Sequence, residues 1–356
     1  MGKSLTYDDD MLVLGLEASC DETAAAVIDM AAQPGARILS SIVHAQLDLH
    51  RSFGGVVPEI AARAHLDWMD LVIPAALEEA GVEASDLGLV AATVGPGLVG
   101  GLVVSALAGR GFAQALALPY HDTNHLAGHA LTARLTHDAP YPYLLLLVSG
   151  GHSQLVVVEA PHRFVTLGTT IDDAVGEAFD KVAKLLDLGF PGGPAVEACA
   201  KTGDAQRFDL PIPLKNKPGF DFSFSGLKTA VRRTLELLED VSAQDKADLA
   251  ASFQAAACES LRIKTARAMA HCQMLYGHAL PLAVAGGVAA NQQIRSALDS
   301  LAADYEVPLY AAPLALCGDN AAMIAYAGGA QWLASDRQVT WDKAPRPRWP
   351  LSEAQG

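Results

Sequence analysis

The sequence predicts an α/β protein made of two duplicated α/β halves that face each other across a cleft. Three observations predict it. A strand–turn–strand pattern of apolar residues occurs twice, offset by about 130 residues, which is a long-range duplication and no solenoid period. Each hairpin is followed by helical periodicity and further short apolar strands. Glycine-bearing polar turns close strand ends in both repeats, where ligands of α/β folds bind.

The elements follow in order. Residues 12–17 (LVLGLE) read as a strand, Ala18-Ser19-Cys20-Asp21-Glu22 as a polar turn, and residues 23–28 as the returning strand. Residues 38–43 read as a third. After Pro58 a helix runs to about Ala80, with apolar residues at Ile60, Ala64, Met69, Ile73 and Leu77. Pro74 inside it predicts a kink or break. Residues 87–109 carry no charge and are numerous enough to span a bilayer. Gly95-Pro96-Gly97 interrupts them, so we read a buried strand over 87–94, a turn, and a helix over 98–118. The second repeat has strands at 143–148, 154–158 and 164–167, then a helix over 173–186. Between Pro191 and Asp240 the pattern is irregular. Residues 280–285 form a strand ending in Gly286-Gly287, a helix opens near Asn291, residues 307–310 form a short strand, and 318–333 form a last helix. The expected division is 1–142, 143–335 with an insertion near 191–240, and an extended tail over 336–356.

Composition excludes several classes. With 51% hydrophobic and 18% charged residues in 356, the chain is neither disordered nor short of core. Five dispersed cysteines without a CxxC fit a reducing cytoplasm better than a disulfide framework. The first residues, MGKSLTYDDDML, hold no apolar segment of signal-peptide length. Gly2 and Thr6 match the permissive pattern for N-terminal acylation, which we do not expect to be used. A net charge of −15 argues against a surface that coats nucleic acid, but leaves room for a local basic track at Lys215, Lys217, Lys228, Arg232 and Arg233.

The sharpest chemical signal is His121-Asp122-Thr123-Asn124-His125-Leu126-Ala127-Gly128-His129. Thr123 or Asn124 caps a helix on which His125 and His129, four apart, share a face and can chelate one divalent metal. Satisfied core histidines are the plain alternative. Leu126 stands where a zincin has its glutamate, which removes the general base of a peptidase. His121 precedes the cap and reads as structural. Asp319 is a candidate third ligand, although the pattern alone favours it as a cap for the last helix. Ser149-Gly150-Gly151 and Gly286-Gly287 are candidate anion cradles.

Together these residues resemble the tRNA N6-adenosine threonylcarbamoyltransferase (TsaD) family, formerly described as glycoprotein endopeptidases. LGLEASCDETAAAV, GGVVPEIAARAH, VGPGLVGGL, NHLAGHALTARL, LLLVSGGHSQL, GEAFDKVAKLL, FPGGPAVE, DFSFSGLKTAV, AGGVAANQQIR and CGDNAAMIA resemble its blocks in order, over about residues 13–330. The resemblance implies an actin-like ATPase (actin/sugar-kinase/Hsp70) fold. It implies transfer of threonylcarbamoyl from threonylcarbamoyl-AMP to N6 of adenosine 37, in tRNAs reading codons that begin with A. It makes His125, His129 and Asp319 metal ligands, with one divalent metal per subunit, Fe2+ ahead of Zn2+. It assigns Leu147, Val148, Ser149, Gly150, Gly151, Asp180, Gly193, Asn291 and, less firmly, Glu197 to the substrate nucleotide. Glu22 and His152 match polar residues important for activity. Ala18 departs from the Thr or Ser common there, a change that touches hairpin geometry more than chemistry. The implied partners are tRNA, a TsaB-like paralogue and a TsaE-like ATPase, with no membrane.

Three rival readings fit less. A small-molecule kinase of the same fold leaves the histidine pair unexplained. A metallopeptidase lacks its base. A non-catalytic scaffold is expected to have lost the His–His–Asp set, which is intact.

Overall fold

Leu12–Glu17 (β1) and Glu22–Asp29 (β2) pair antiparallel, from Leu12 opposite Asp29 to Glu17 opposite Ala24. Strand β1 is buried along nearly its whole length, as its apolar run requires once both faces of the sheet are covered. The structure is a computed structural model and describes residues 11–354 apart from 51, 52, 54, 338, 340 and 342. Gly2 and Thr6 of the acylation pattern lie outside the described residues.

Next come Ile38–Ala45 (β3), Leu47–His50 (α1), Pro58–Ala80 (α2), Leu87–Gly95 (β4), Val99–Ala115 (α3), Tyr120–Asn124 (β5) and His125–His137 (α4). They build a sheet of order β3-β2-β1-β4-β5, with β4 parallel to both β1 and β5. Helix α2 starts on Pro58, which needs no donor there, and stops at Gly81, whose φ of 67° closes the C-terminus. It runs through Pro74 unbroken, so of the expected kink or break the break does not occur: tertiary packing of its buried face outweighs one lost backbone bond. The sequence pattern gives no strand at β5, because YHDTN is polar and short; parallel pairing with β4 makes it one.

The second repeat comprises Tyr143–Val148 (β6), Ser153–Ala160 (β7), Arg163–Thr169 (β8), Val175–Leu186 (α5), Gly192–Ala200 (α6), Ser225–Glu236 (α7), Ala243–Tyr276 (α8), Leu282–Ala285 (β9), Gln292–Asp304 (α9) and Leu309–Ala311 (β10). Ala321–Leu333 (α10) ends the helical part. The sheet order β10-β9-β6-β7-β8 repeats the first sheet strand for strand. The antiparallel β6–β7 hairpin, with β9 parallel to β6 and to β10, matches its pairing sense. The 34-residue α8 lies where no element is expected from the sequence. Its signals are nonetheless present: Ser242 and Asp245 form a capping box, and Gly277 ends it with φ 75°. Phe253 of α8 meets Phe179 of α5 edge to face at 5.0 Å in the core of this repeat.

The chain divides into two compact units, 1–138 with 159–164 and 319–356, and 139–158 with 165–318. The expected division groups α10 with the second repeat and sets residues 336–356 apart. Close approach explains the difference. A Cβ on Gly15 of β1 would lie 2.2 Å from the Ala321 carbonyl oxygen, and one on Gly328 of α10 would lie 2.4 Å from Cβ of Ala91. Only glycine lets α10 sit this near the first sheet. The tail then docks on the same unit: Arg346 N–H donates to Val94 O at 2.7 Å, Gly97 N–H to Pro347 O at 3.2 Å, and the Asn124 amide to Trp349 O at 3.0 Å. Leu351 is fully buried there. Among the described residues no helix is long and apolar enough to cross a membrane.

Candidate functional site

The first unit brings together the ends of β1, α4 and the segment before α10. Asn124 caps α4, its side-chain oxygen accepting from Leu126 N at 2.8 Å and Ala127 N at 3.2 Å. His125 and His129 therefore occupy successive turns of one face, their rings edge to face with centroids 4.8 Å apart. Asn320, not Asp319, caps α10, accepting from Met323 N at 3.0 Å. The Asp319 carboxylate is thereby turned to the histidines: Oδ1 lies 3.2 Å from Nε2 of His129 and 3.5 Å from Nε2 of His125. One ligand atom from each of the three residues lies within 4.8 Å of the others. Ligands bonded at about 2.1 Å to a tetrahedral centre stand about 3.4 Å apart, which the two distances from Asp319 to the histidines match. Two imidazoles and a carboxylate are also the donor set such ions take.

Behind His125 stands a residue to which the sequence reading gives no role. Glu17, fully buried at the end of β1, accepts from Ser19 N at 2.6 Å, from the Thr93 hydroxyl at 2.5 Å and from His125 Nδ1 at 3.0 Å. A carboxylate on Nδ1 turns Nε2 toward Asp319 and raises its basicity. Its sequence signals are an acid that ends an otherwise apolar strand and a place inside the LGLEASCDETAAAV block. Burial raises the Glu17 carboxyl's pKa, but the His125 charge and the Thr93 hydrogen bond outweigh it and leave it below the usual range. Burial disfavours a charged His125, yet the Asp319 and Glu17 carboxylates push it up to about 9. The Nδ1 of His129 is buried with no hydrogen-bond partner among the described residues, so the two histidines are not equivalent. Glu22, across the turn, is raised well above the usual range by burial, then by Asp319 and Asp21.

His121 stays apart from this cluster, its Nδ1 3.1 Å from the Thr123 hydroxyl. Burial, then the Lys343 ammonium, push it down to about 4.

The second unit holds the residues implied for the nucleotide. Leu147 and Val148 are fully buried in β6, so only their backbone can face a ligand. The Ser149–His152 turn is closed by Ser149 N to His152 O at 2.8 Å and His152 N to the Ser149 hydroxyl at 3.1 Å. Gly150 and Gly151 have open space where a Cβ would stand. Gly286, with φ 95°, passes under this strand end, where a Cβ would lie 2.3 Å from Val148 O. Asp180 on α5 accepts from Gly192 N at 2.8 Å, next to Gly193 at the start of α6. Glu197 on α6 accepts from Gln292 N at 2.8 Å, and Asn291 caps α9 while donating to Gln254 at 2.8 Å. The strand-end turns and the α5, α6 and α9 residues thus form one connected group.

Fold and site define an actin-like α/β protein carrying a two-histidine, one-carboxylate cluster. Solved structures with this fold include T. kodakarensis HypF (TM-score 0.59, 15% identity, 91% of this chain and 48% of that one). They also include component A of the (R)-2-hydroxyglutaryl-CoA dehydratase of Acidaminococcus fermentans (TM-score 0.51, 18% identity, 90% and 98%). A family model described as TsaD, tRNA N6-adenosine threonylcarbamoyltransferase, matches residues 37–326. Proteins of that name from Rhodospirillum rubrum and Brucella anthropi are 54% and 52% identical, covering 95% and 96% of this chain and 94% and 96% of their own lengths. The chain belongs to the tRNA N6-adenosine threonylcarbamoyltransferase family and is a transferase.

The cluster geometry sets an expected metal content. Purified His125→Ala, His129→Ala and Asp319→Ala proteins should each retain less than about a tenth of the wild-type metal, measured by elemental mass spectrometry against unchanged circular dichroism. For His121, the unfolded chain takes up a proton near pH 6.5 and the folded chain only near pH 4. Stability should therefore fall as pH drops through that window, and His121→Gln should flatten the fall in urea midpoints.

Proposed function

We propose that this chain transfers the threonylcarbamoyl group of threonylcarbamoyl-AMP to N6 of adenosine 37 in tRNAs that read codons beginning with A. Family membership over most of the chain supports this reading, and the observation that carries it is the His125–His129–Asp319 cluster. A kinase of this fold has no use for such a cluster, and a zincin-type peptidase needs a glutamate where buried Leu126 stands.

The substrate is a mixed carbonic–phosphoric anhydride with AMP as its leaving group. The exocyclic amine of adenine is a poor nucleophile, because its lone pair is delocalised into the ring. Positioning must therefore supply much of the rate. We assign the adenylate's nucleotide to the second unit. Backbone N–H groups of the Ser149–Gly151 turn meet phosphate oxygens, while Asp180, Gly193, Glu197 and Asn291 hold ribose and base. His125, His129 and Asp319 hold one divalent metal per subunit, Fe2+ ahead of Zn2+, which when bound supplies Lewis-acid stabilisation of developing negative charge. Glu17 holds His125 in place for that role. Glu22 and His152 are the assigned proton-handling groups; burial, then the Asp319 and Asp21 charges, raise the Glu22 carboxyl well above the usual carboxylate range.

The tRNA surface is assigned to Lys228, Arg232 and Arg233 on α7, with Lys215 and Lys217 in the preceding loop. The TsaB-like paralogue is assigned to the groove of about 520 Å³ between α2 and α3, where Leu66, Val99, Val103 and Leu107 are exposed. A TsaE-like ATPase completes the set, and the compartment is the cytoplasm.

Mass analysis of adenosine 37, after incubation with tRNA, threonine, bicarbonate, ATP and the partner proteins, tests the reading. Wild type should yield the modified nucleoside, and His125→Ala/His129→Ala should yield none while folded. Modification that persists in the double variant removes the metal from the reaction. Replacing Lys228, Arg232 and Arg233 by Ala should weaken tRNA binding and reduce the salt slope by roughly 0.7 to 0.9 for each phosphate left unneutralised.

A further inference from the structure

The turn between β1 and β2 is held by three successive carbonyls, each tied to a different element. Ser19 O accepts from Leu98 N at 2.7 Å, at the start of α3, and Asp21 O accepts from Gln46 N at 3.0 Å, just before α1. Between them, Cys20 O lies 3.1 Å from Nε2 of His65, a fully buried residue of α2. The outer two bonds are main-chain bonds. The central one is made by a side chain.

Matching donors to acceptors assigns the tautomers. A carbonyl can only accept, so Nε2 of His65 carries the proton. Its Nδ1 then accepts, from the Thr23 hydroxyl at 2.8 Å and the Gln46 amide at 3.2 Å. That orients Gln46 so that its oxygen accepts from Nε2 of buried His50 at 3.3 Å. The Nδ1 of His50 accepts in turn from Val57 N at 3.3 Å. Every donor meets an acceptor, as a buried polar network requires. Burial keeps His65 neutral by lowering its pKa, in keeping with this pattern. Helix α3 is pressed against the same turn: a Cβ on Gly101 would lie 1.9 Å from Ala18 O and 3.0 Å from Nε2 of His65.

The turn adjoins the candidate metal site, with Ser19 on the Nδ1 edge of His125 behind it. The Ser19 hydroxyl is 3.2 Å from His125 Nδ1, and the Glu22 carboxyl feels the Asp319 charge. We propose that His65 is a positioning residue for the transfer reaction, its Nε2–H holding the Cys20 carbonyl so that the turn presents Ser19 and Glu22 to the site in one fixed geometry. This rests on the reading that the chain carries out the transfer. His65 itself touches neither substrate nor metal ligand in this scheme. It acts through the peptide plane it holds, and a displacement of about 1 Å at such a turn is enough to cost a large factor in rate.

The test compares His65→Leu with His65→Gln, whose side-chain amide nitrogen can take the place of Nε2. His65→Leu should lower kcat for adenosine 37 modification on the order of 10- to 100-fold, with KM for tRNA within about twofold of wild type. Hydrogen–deuterium exchange should rise at least severalfold in peptides covering residues 17–24, and Cys20 should react faster with iodoacetamide. His65→Gln should restore most of both. If His65→Leu does not fold, His65→Asn, one methylene too short to reach Cys20 O, takes its place. Unchanged kcat in a folded variant overturns the proposal, and so does a fall in kcat with no change in exchange at the turn. Glu22→Gln, run alongside, separates the two readings. If Glu22→Gln keeps full activity while His65→Leu loosens the turn and slows transfer, the Glu22 role falls and the His65 role stands. If Glu22→Gln abolishes transfer while His65→Leu matches wild type in both readouts, the His65 role falls.

Discussion

The carboxylate of Asp319 stands between two imidazoles nearly two hundred positions earlier in the chain, and the first unit is organised around that meeting. Burying histidines and a carboxylate together is tolerable only when each finds an opposite charge or a hydrogen bond. Helix α4 must start at His125, so Asn124 caps it; α10 must start beyond Asp319, so Asn320 caps it. Both caps free the reactive side chains from capping duty. The approach of α10 to β1 and β4, made possible by Gly15 and Gly328, brings the two helix starts together.

Glu17 extends the same logic one layer inward. A buried carboxylate with three hydrogen-bond donors is a stable acceptor for Nδ1 of His125, and it carries a charge that a divalent cation can offset. The cluster is thus built in layers: the two imidazoles and the Asp319 carboxylate, the Glu17 carboxylate that orients His125, and the Thr93 hydroxyl and Ser19 amide that orient Glu17. The histidine–glutamine chain through His65 belongs to a separate layer, which holds the polar turn by its peptide planes.

The two repeats share a strand order and differ in use. In the first, the hairpin turn carries acids and lies against the His–His–Asp cluster. In the second, the equivalent turn is glycine-rich and joins α5, α6 and α9 in a set of backbone N–H and polar groups suited to a nucleotide. One duplicated architecture therefore carries a His–His–Asp cluster on one copy and a glycine-rich strand-end turn on the other.

Much of this is legible in one sequence. The hairpins, the β4–turn–α3 reading of residues 87–118, the Asn124 cap and the shared face of His125 and His129 all depend on local periodicity and capping chemistry, which residues within a few positions of each other determine. Resemblance to the family supplies Asp319. Other features are decided only by tertiary structure. Strand β5 is polar and exists because β4 offers it a parallel edge. Pro74 is tolerated because the buried face of α2 outweighs it. The tail, expected to stand apart, is held by Val94, Gly97 and Asn124. Gln46 and His50 lie in no motif block, and the blocks that contain Glu17 and His65 assign them no role, for their meaning lies in partners up to 108 positions away. A sequence specifies what each residue can donate, accept or bury at short range. Which donor meets which acceptor across the chain is settled by packing, because only the folded core removes water as the competing partner.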